Sequence, residues 1–180
     1  LANPLVAELF RVHPAVDRVM VYDRKGRHKG VGGFLAMANE LRREKFDLAV
    51  LLQNAIEAAL LAFVARIPCR AGYTTDGRRL LLNAPVTVTA ADKLLHHTDY
   101  YLQLLSRLGI EGGDGRLCLA IDQDEQVWAQ SILGDERVIS VNPGAAYGSA
   151  KRWIPERFAE VADRLAERYQ CRILLTGGPG

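Results

Sequence analysis

Apolar positions recur along this chain with two alternating periods. Asn3 to Val12 carries helical spacing that His13-Pro14 breaks, and "VDRVMVYD" (16–23) then has the look of a short strand. "GGFLAMANELRREKF" reads as an amphipathic helix with Phe34, Met37, Ala38 and Leu41 on one face. "DLAVLL" (47–52) is a near-continuous apolar run of strand length, the pattern of a parallel strand covered on both faces. A helix over 55–66 follows, then strand candidates "CRAGY" and "APVTV". "HTDYYLQLLSRLGI" forms a further helix with a stripe of Tyr101, Leu104, Leu105 and Leu108, closed by Gly109.

The segment "EGGDGR" (111–116) offers nothing to a core, since glycines and charges make up all of it. Beyond it come strand "LCLAI", helix "DEQVWAQSIL", strand "RVISVN", a loop of small residues, a helix from Pro155 to Tyr169 and strand "RILLT". Strand and helix alternate throughout, so the expected class is α/β with mainly parallel sheets. The glycine-rich break divides two such patterns: part of one α/β domain over 1–110, a linker over 111–116 and the opening of a second over 117–180. With no initiator methionine and a last strand that leads only to "TGGPG", the chain reads as a fragment at both ends.

Composition narrows the class. At 180 residues, 49% hydrophobic and 24% charged, the chain has the balance of a soluble globular protein. A net charge of +2, with Lys and Arg scattered, gives no field that would recruit nucleic acid. Cys69, Cys118 and Cys171 are widely separated and have no CxxC pairing, which suits unpaired thiols in a reducing compartment. The apolar stretch 47–68 is interrupted by Gln53, Asn54 and Glu57 and reads as strand, turn and helix rather than as a membrane span.

Chemistry concentrates in "VNPGAAYGSAKRWIPERF". In open α/β sheets ligands bind where strand hands over to helix. There Gly144, Ala145 and Ala146 let a ligand approach the backbone, the following helix N-terminus favours negative charge, and Lys151 supplies a point charge suited to phosphate. Neither GxxxxGK[ST] nor GxGxxG is present, so an ordinary strand-to-helix loop with a solvated lysine stays open. A second loop, Thr176, Gly177 and Gly178 after the next strand, belongs to the same sheet edge and tips the balance toward a nucleotide cleft.

Taken together, "NPGAAYGSAKRWIPERFAEVADRL", "ILLTGGPG", the stretch from "FDLAVLLQNAIEAALLAF" to "RRLLLN", and "HHTDYYLQLLSRLGI" resemble the ADP-heptose:lipopolysaccharide heptosyltransferases, glycosyltransferase family 9, and within it the heptosyltransferase II branch. The resemblance implies a GT-B enzyme of two facing Rossmann-like domains, both incomplete here. It implies transfer of L-glycero-D-manno-heptose from ADP-heptose, with inversion, onto a lipid-linked Kdo/heptose inner-core acceptor of lipopolysaccharide. It further implies a cytoplasmic location with peripheral contact at the inner membrane, and neither cofactor nor metal.

Residue by residue, the resemblance puts Lys151 on the ADP diphosphate, Gly144, Ala145, Ala146 and Tyr147 in the contacting loop, and Thr176, Gly177 and Gly178 in the second nucleotide loop. Where some members offer a hydroxyl, this chain has Ala146. The family's general base, an aspartate in a G-D loop, is expected upstream of Leu1, so no catalytic residue is assigned and the 180-residue chain alone is expected to be inactive. Asp23 and Asp47 read as surface groups. Arg78 and Arg79 are acceptor candidates, because adjacent arginines can fork onto carboxylates or phosphates; two solvated arginines are the competing reading. His96 and His97, neighbours at a helix start, suit capping better than metal binding. Trp153 suits packing. Two other functions remain open, an epimerase-like enzyme and a non-catalytic nucleotide-sugar-binding module; the first should carry a Tyr-xxx-Lys pair, a spacing that Tyr147 and Lys151 do have.

Overall fold

The structure is a computed structural model that describes residues 1–145 and 152–177. It forms two compact units, Leu1–Ala120 and Ile121–Gly180. In the first, helix α1 (Pro4–Arg11) starts at Asn3, whose side chain accepts from the backbone N–H groups of Leu5 and Val6. Helix α2 (Gly30–Glu44) buries Met37, Ala38 and Leu41, three of the four residues expected on its inner face, with Phe34 partly buried beside them. They pack on Leu61, Ala62 and Ala65 in and after helix α3 (Ile56–Val64) and on Ile67.

Strands β1 (Leu48–Leu51), β2 (Cys69–Tyr73) and β3 (Ala84–Val86) form one parallel sheet in the order β1-β2-β3, with Val50 beside Ala71 and Gly72 beside Pro85. Helix α4 (His97–Arg107) places Leu104 against Tyr73 and Val86 in a second small core. It ends in a Schellman arrangement: Gly109, at φ 72°, donates to the Ser106 carbonyl and Ile110 to that of Leu105, each at 3.0 Å.

The second unit contains helix α5 (Gln123–Leu133), strand β4 (Val138–Val141), helix α6 (Pro155–Tyr169) and strand β5 (Arg172–Leu175). Strands β4 and β5 pair in parallel, from Val138 beside Arg172 to Val141 beside Leu175. The α/β class with parallel sheets therefore holds in both units.

Three expectations change. "VDRVMVYD" makes a single parallel bridge, Val21 to Ala2, because only the short Leu1–Ala2 segment lies alongside it. "LCLAI" forms no strand: no described strand lies beside it, and Leu117, Leu119 and Ile121 stay exposed. β1 is not covered on both faces. Leu48 and Leu52 are each close to half exposed, and an apolar groove of about 510 Å³ runs along the strand past Phe10, Val19 and Leu41.

Candidate functional site

In the second unit, the parallel register that ends at Val141 and Leu175 delivers both following loops to one sheet edge. The Thr176 N–H donates to the Val141 carbonyl at 3.0 Å, and the Ser140 and Thr176 hydroxyls lie 3.4 Å apart. Gly144 and Ala145 leave β4 from that edge, with the Gly144 N–H turned onto the Asn142 side chain at 3.1 Å; Gly177 leaves β5 exposed. Gly144, Ala145, Thr176 and Gly177 thus follow two adjacent strands at one sheet edge, while Ala146, Tyr147, Lys151 and Gly178 lie outside the described residues.

Helix α6 crosses from β4 to β5, so its N-terminus starts at this same edge. Ile154 occupies the N-cap without a side-chain hydrogen bond, and Pro155 at the first helical position has no N–H to leave unpaired. The remaining first-turn N–H groups and the helix dipole favour an anion there, with Glu156 as an internal competitor. Trp153 fixes how the chain approaches the helix. Its ring meets Phe158 edge-on at 5.2 Å, which is the hydrophobic staple between the residue before the cap and the fourth residue of the helix. The packing role expected for Trp153 is therefore specific, and its W-x4-F spacing is visible in the sequence.

In the first unit, the carboxyl ends of β1 and β2 converge on Arg78. Thr75 to Arg78 is a tight turn in which Asp76 (φ 50°) and Gly77 (φ 69°) both take left-handed backbone and the Arg78 N–H donates to the Thr75 carbonyl at 3.1 Å. That turn sends the Arg78 side chain inward, where it is completely buried. Its Nε donates to the Tyr73 carbonyl at 2.7 Å, one terminal nitrogen to the Gln53 carbonyl, and the other to Asn54 Oδ1 at 3.2 Å and the Leu51 carbonyl at 3.4 Å. Burial pulls its pKa below the ordinary arginine range, with nearby Tyr100 and Asp76 opposing that shift. The two arginines therefore do not present a paired fork: Arg78 is committed to backbone carbonyls and only Arg79 is exposed.

Around Arg78 lies a network that the sequence reading missed. Asn54 donates to the Tyr100 hydroxyl at 3.3 Å, the Thr75 hydroxyl donates to the Asn54 carbonyl at 3.3 Å, and the buried Tyr73 hydroxyl donates to the Tyr100 carbonyl at 2.7 Å. Burial raises the Tyr73 pKa, and its ring lies 4.4 Å from that of Tyr100.

The other candidates resolve into structural roles. The Asp23 carboxylate accepts from the backbone of Gly26 and Arg27, and Asp47 is an exposed residue before β1. His96 caps α4 by accepting from the Thr98 N–H, and the His13 ring accepts from the Ala15 N–H. His28 is buried: its Nδ1 accepts from the Asp23 N–H, and its Nε2 has no hydrogen-bond partner among the described residues. The three cysteines are free.

Comparison with known proteins decides the family. The profile of glycosyltransferase family 9 (heptosyltransferase) matches residues 34–180. The chain belongs to glycosyltransferase family 9. Lipopolysaccharide heptosyltransferase 2 of Escherichia coli K12 is 32% identical over 151 residues, covering 78% of the chain and 43% of that protein. Lipooligosaccharide heptosyltransferase 2 of Haemophilus ducreyi is 28% identical over 188 residues, covering 92% and 49%. The family 9 glycosyltransferase structure from Veillonella parvula superposes with a TM-score of 0.77 at 27% identity, covering 96% of this chain and 51% of that one. The E. coli ADP-heptose LPS heptosyltransferase II structure, at 22% identity and TM-score 0.72 over 98% and 54%, adds agreement in fold.

The family 9 chain thus spans less than half the length of these curated relatives. Its fold is that of the family, of GT-B type, and the matches favour neither the epimerase-like nor the non-catalytic alternative. Among the described residues of this family 9 chain, no helix is long and apolar enough to cross a membrane.

Proposed function

We propose that the complete protein is an inverting heptosyltransferase that moves L-glycero-D-manno-heptose from ADP-heptose to the inner core of lipopolysaccharide. In that reaction an acceptor hydroxyl forms the new bond to the anomeric carbon, the bond from that carbon to the diphosphate oxygen breaks, ADP leaves, and the hydroxyl proton passes to a general base. The reading is carried by one observation within a family 9 chain: two small-residue loops emerge from adjacent parallel strands at one edge, beside an N-terminus that suits an anion.

On this reading Gly144, Ala145, Ala146, Tyr147, Thr176, Gly177 and Gly178 hold the nucleotide sugar, and Lys151 neutralises charge on the departing diphosphate. Arg79 faces the anionic, lipid-linked Kdo/heptose acceptor, and the protein works in the cytoplasm in peripheral contact with the inner membrane. Calorimetric titration of ADP into the complete protein and its Lys151→Ala variant tests the donor half. Loss of a charge-assisted phosphate contact should weaken binding by about 1.5–3 kcal/mol. Equal affinity would remove Lys151 from the site.

A further inference from the structure

Arg78 has an unusual combination of properties for a residue two positions beyond an exposed aspartate in a surface turn. It is fully buried, its charge meets no carboxylate within salt-bridge distance among the described residues, and its donors go to the carbonyls of Leu51, Gln53 and Tyr73 and to the Asn54 side chain. Those acceptors lie at the carboxyl ends of two neighbouring strands and in the segment just beyond β1. Gly72 leaves the space: a Cβ there would sit 3.3 Å from the guanidinium and 3.2 Å from both the Leu51 carbonyl oxygen and its Cβ. A cation held by neutral dipoles alone is costly to bury, and leaving those carbonyls unpaired would be costly too.

The consequence falls on the neighbours. Gln53 is exposed one residue before Asn54, and Arg79 is exposed one residue after Arg78. Their backbones are tied by the same guanidinium, directly at the Gln53 carbonyl and through the chain at Arg79, while Thr75 is tied to Asn54 by its hydroxyl. We propose that Arg78 is a positioning residue for the acceptor: it never touches the sugar, but locks the Gln53–Asn54 segment to the Thr75–Arg79 turn so that Gln53 and Arg79 meet an anionic saccharide in one fixed arrangement. This rests on the transferase reading above. An arginine is required because its planar fork reaches several carbonyls at once, which a lysine cannot do.

The test is steady-state transfer by the complete protein, with acceptor and donor varied separately, for the wild type and for Arg78→Ala, Arg78→Lys, Arg79→Ala, the Arg78→Ala/Arg79→Ala double variant and Gly72→Ala. Arg78→Ala should raise the acceptor KM about tenfold or more while the donor KM moves less than about twofold. Arg78→Lys should resemble Arg78→Ala, and millimolar guanidinium ion should restore Arg78→Ala but not Arg79→Ala. Because Arg78 acts partly through Arg79, the double variant should be less impaired than the product of the two single effects. If Arg78→Ala does not fold, Gly72→Ala, which crowds the guanidinium without removing it, should still raise the acceptor KM selectively. An unchanged acceptor KM, a donor KM that rises in step with it, or fully multiplicative single effects would overturn the proposal. A wild type that transfers nothing would overturn the transferase reading and this proposal together, whereas wild-type transfer with unaltered Arg78 variants would overturn this proposal alone.

Discussion

Gly32 and Gly33 are neighbours in α2, and the same substitution should have opposite effects at the two. A Cβ added at Gly32 meets nothing within 4 Å. One added at Gly33 would lie 2.2 Å from the His28 carbonyl carbon, 2.5 Å from its Cα and 2.6 Å from its oxygen. The obstacle is backbone, and it is fastened: the His28 N–H donates to the Asp23 carbonyl at 2.7 Å, and the His28 ring accepts from the Asp23 N–H at 3.1 Å. Both positions have ordinary helical backbone, so each alanine gains about 1 kcal/mol from helix propensity. That gain is common to the two variants, and their difference isolates the clash. Overpacking against structure that cannot yield costs about 1–3 kcal/mol, and an overlap of this depth belongs at the upper end. Gly32→Ala should therefore stabilise the chain by about 1 kcal/mol, with Gly33→Ala about 2–3 kcal/mol below it. Urea unfolding followed by far-ultraviolet circular dichroism measures both. Equal shifts in the same direction would refute the close packing of the Asp23–Lys29 loop on α2.

Two further predictions concern ionisation. Arg107 forks onto Asp92 at 2.7 and 2.8 Å and, with the Thr89 N–H, holds the Asp92 carboxyl down to about 2. A carboxyl depressed from its usual value of about 3.9 stabilises the fold above that value and loses the contribution as pH falls toward 2. Asp92→Asn should therefore be less stable than the wild type at pH 7, and thermal melts should show the gap closing between about pH 4 and pH 2. The Tyr22 hydroxyl is pushed up to about 12, chiefly by burial and next by its 2.8 Å hydrogen bond to Glu57. Its folded-state stabilisation is complete below about pH 10 and is lost as pH rises toward 12, so an ultraviolet phenolate titration should show late tyrosines, Tyr73 among them, whose number Tyr22→Phe lowers by one.

Much of this fold could be read from local pattern. Helix α6 has the bounds that its proline start and apolar period indicate, and Gly109 closes α4 through the left-handed conformation expected of it. β2 coincides with "CRAGY". What local pattern cannot supply is the partner. "VDRVMVYD" and "LCLAI" have strand-like composition, yet a strand exists only where another lies beside it, and these segments find one bridge and none among the described residues.

The site divides in the same way. That two loops share an edge follows from strand–helix–strand alternation, which can be read in sequence. The fate of Arg78 depends on carbonyls 24 to 27 residues away, at the ends of β1, so a charge in an Asp-Gly turn looks solvated until those strands converge. The Arg107–Asp92 pair, separated by 15 residues, is hidden for the same reason. The Trp153–Phe158 staple is different: its spacing is local and legible.

The most direct test of the account supplies the complete protein with ADP-heptose and a Kdo-containing inner-core acceptor, follows ADP release, and weighs the acceptor by mass spectrometry. The acceptor should gain one heptose residue for each ADP released, and the 180-residue chain alone should give neither product. ADP-heptose bound by the complete protein but never transferred would contradict it and leave a nucleotide-sugar-binding module, while transfer by the 180-residue chain would place the general base within these residues.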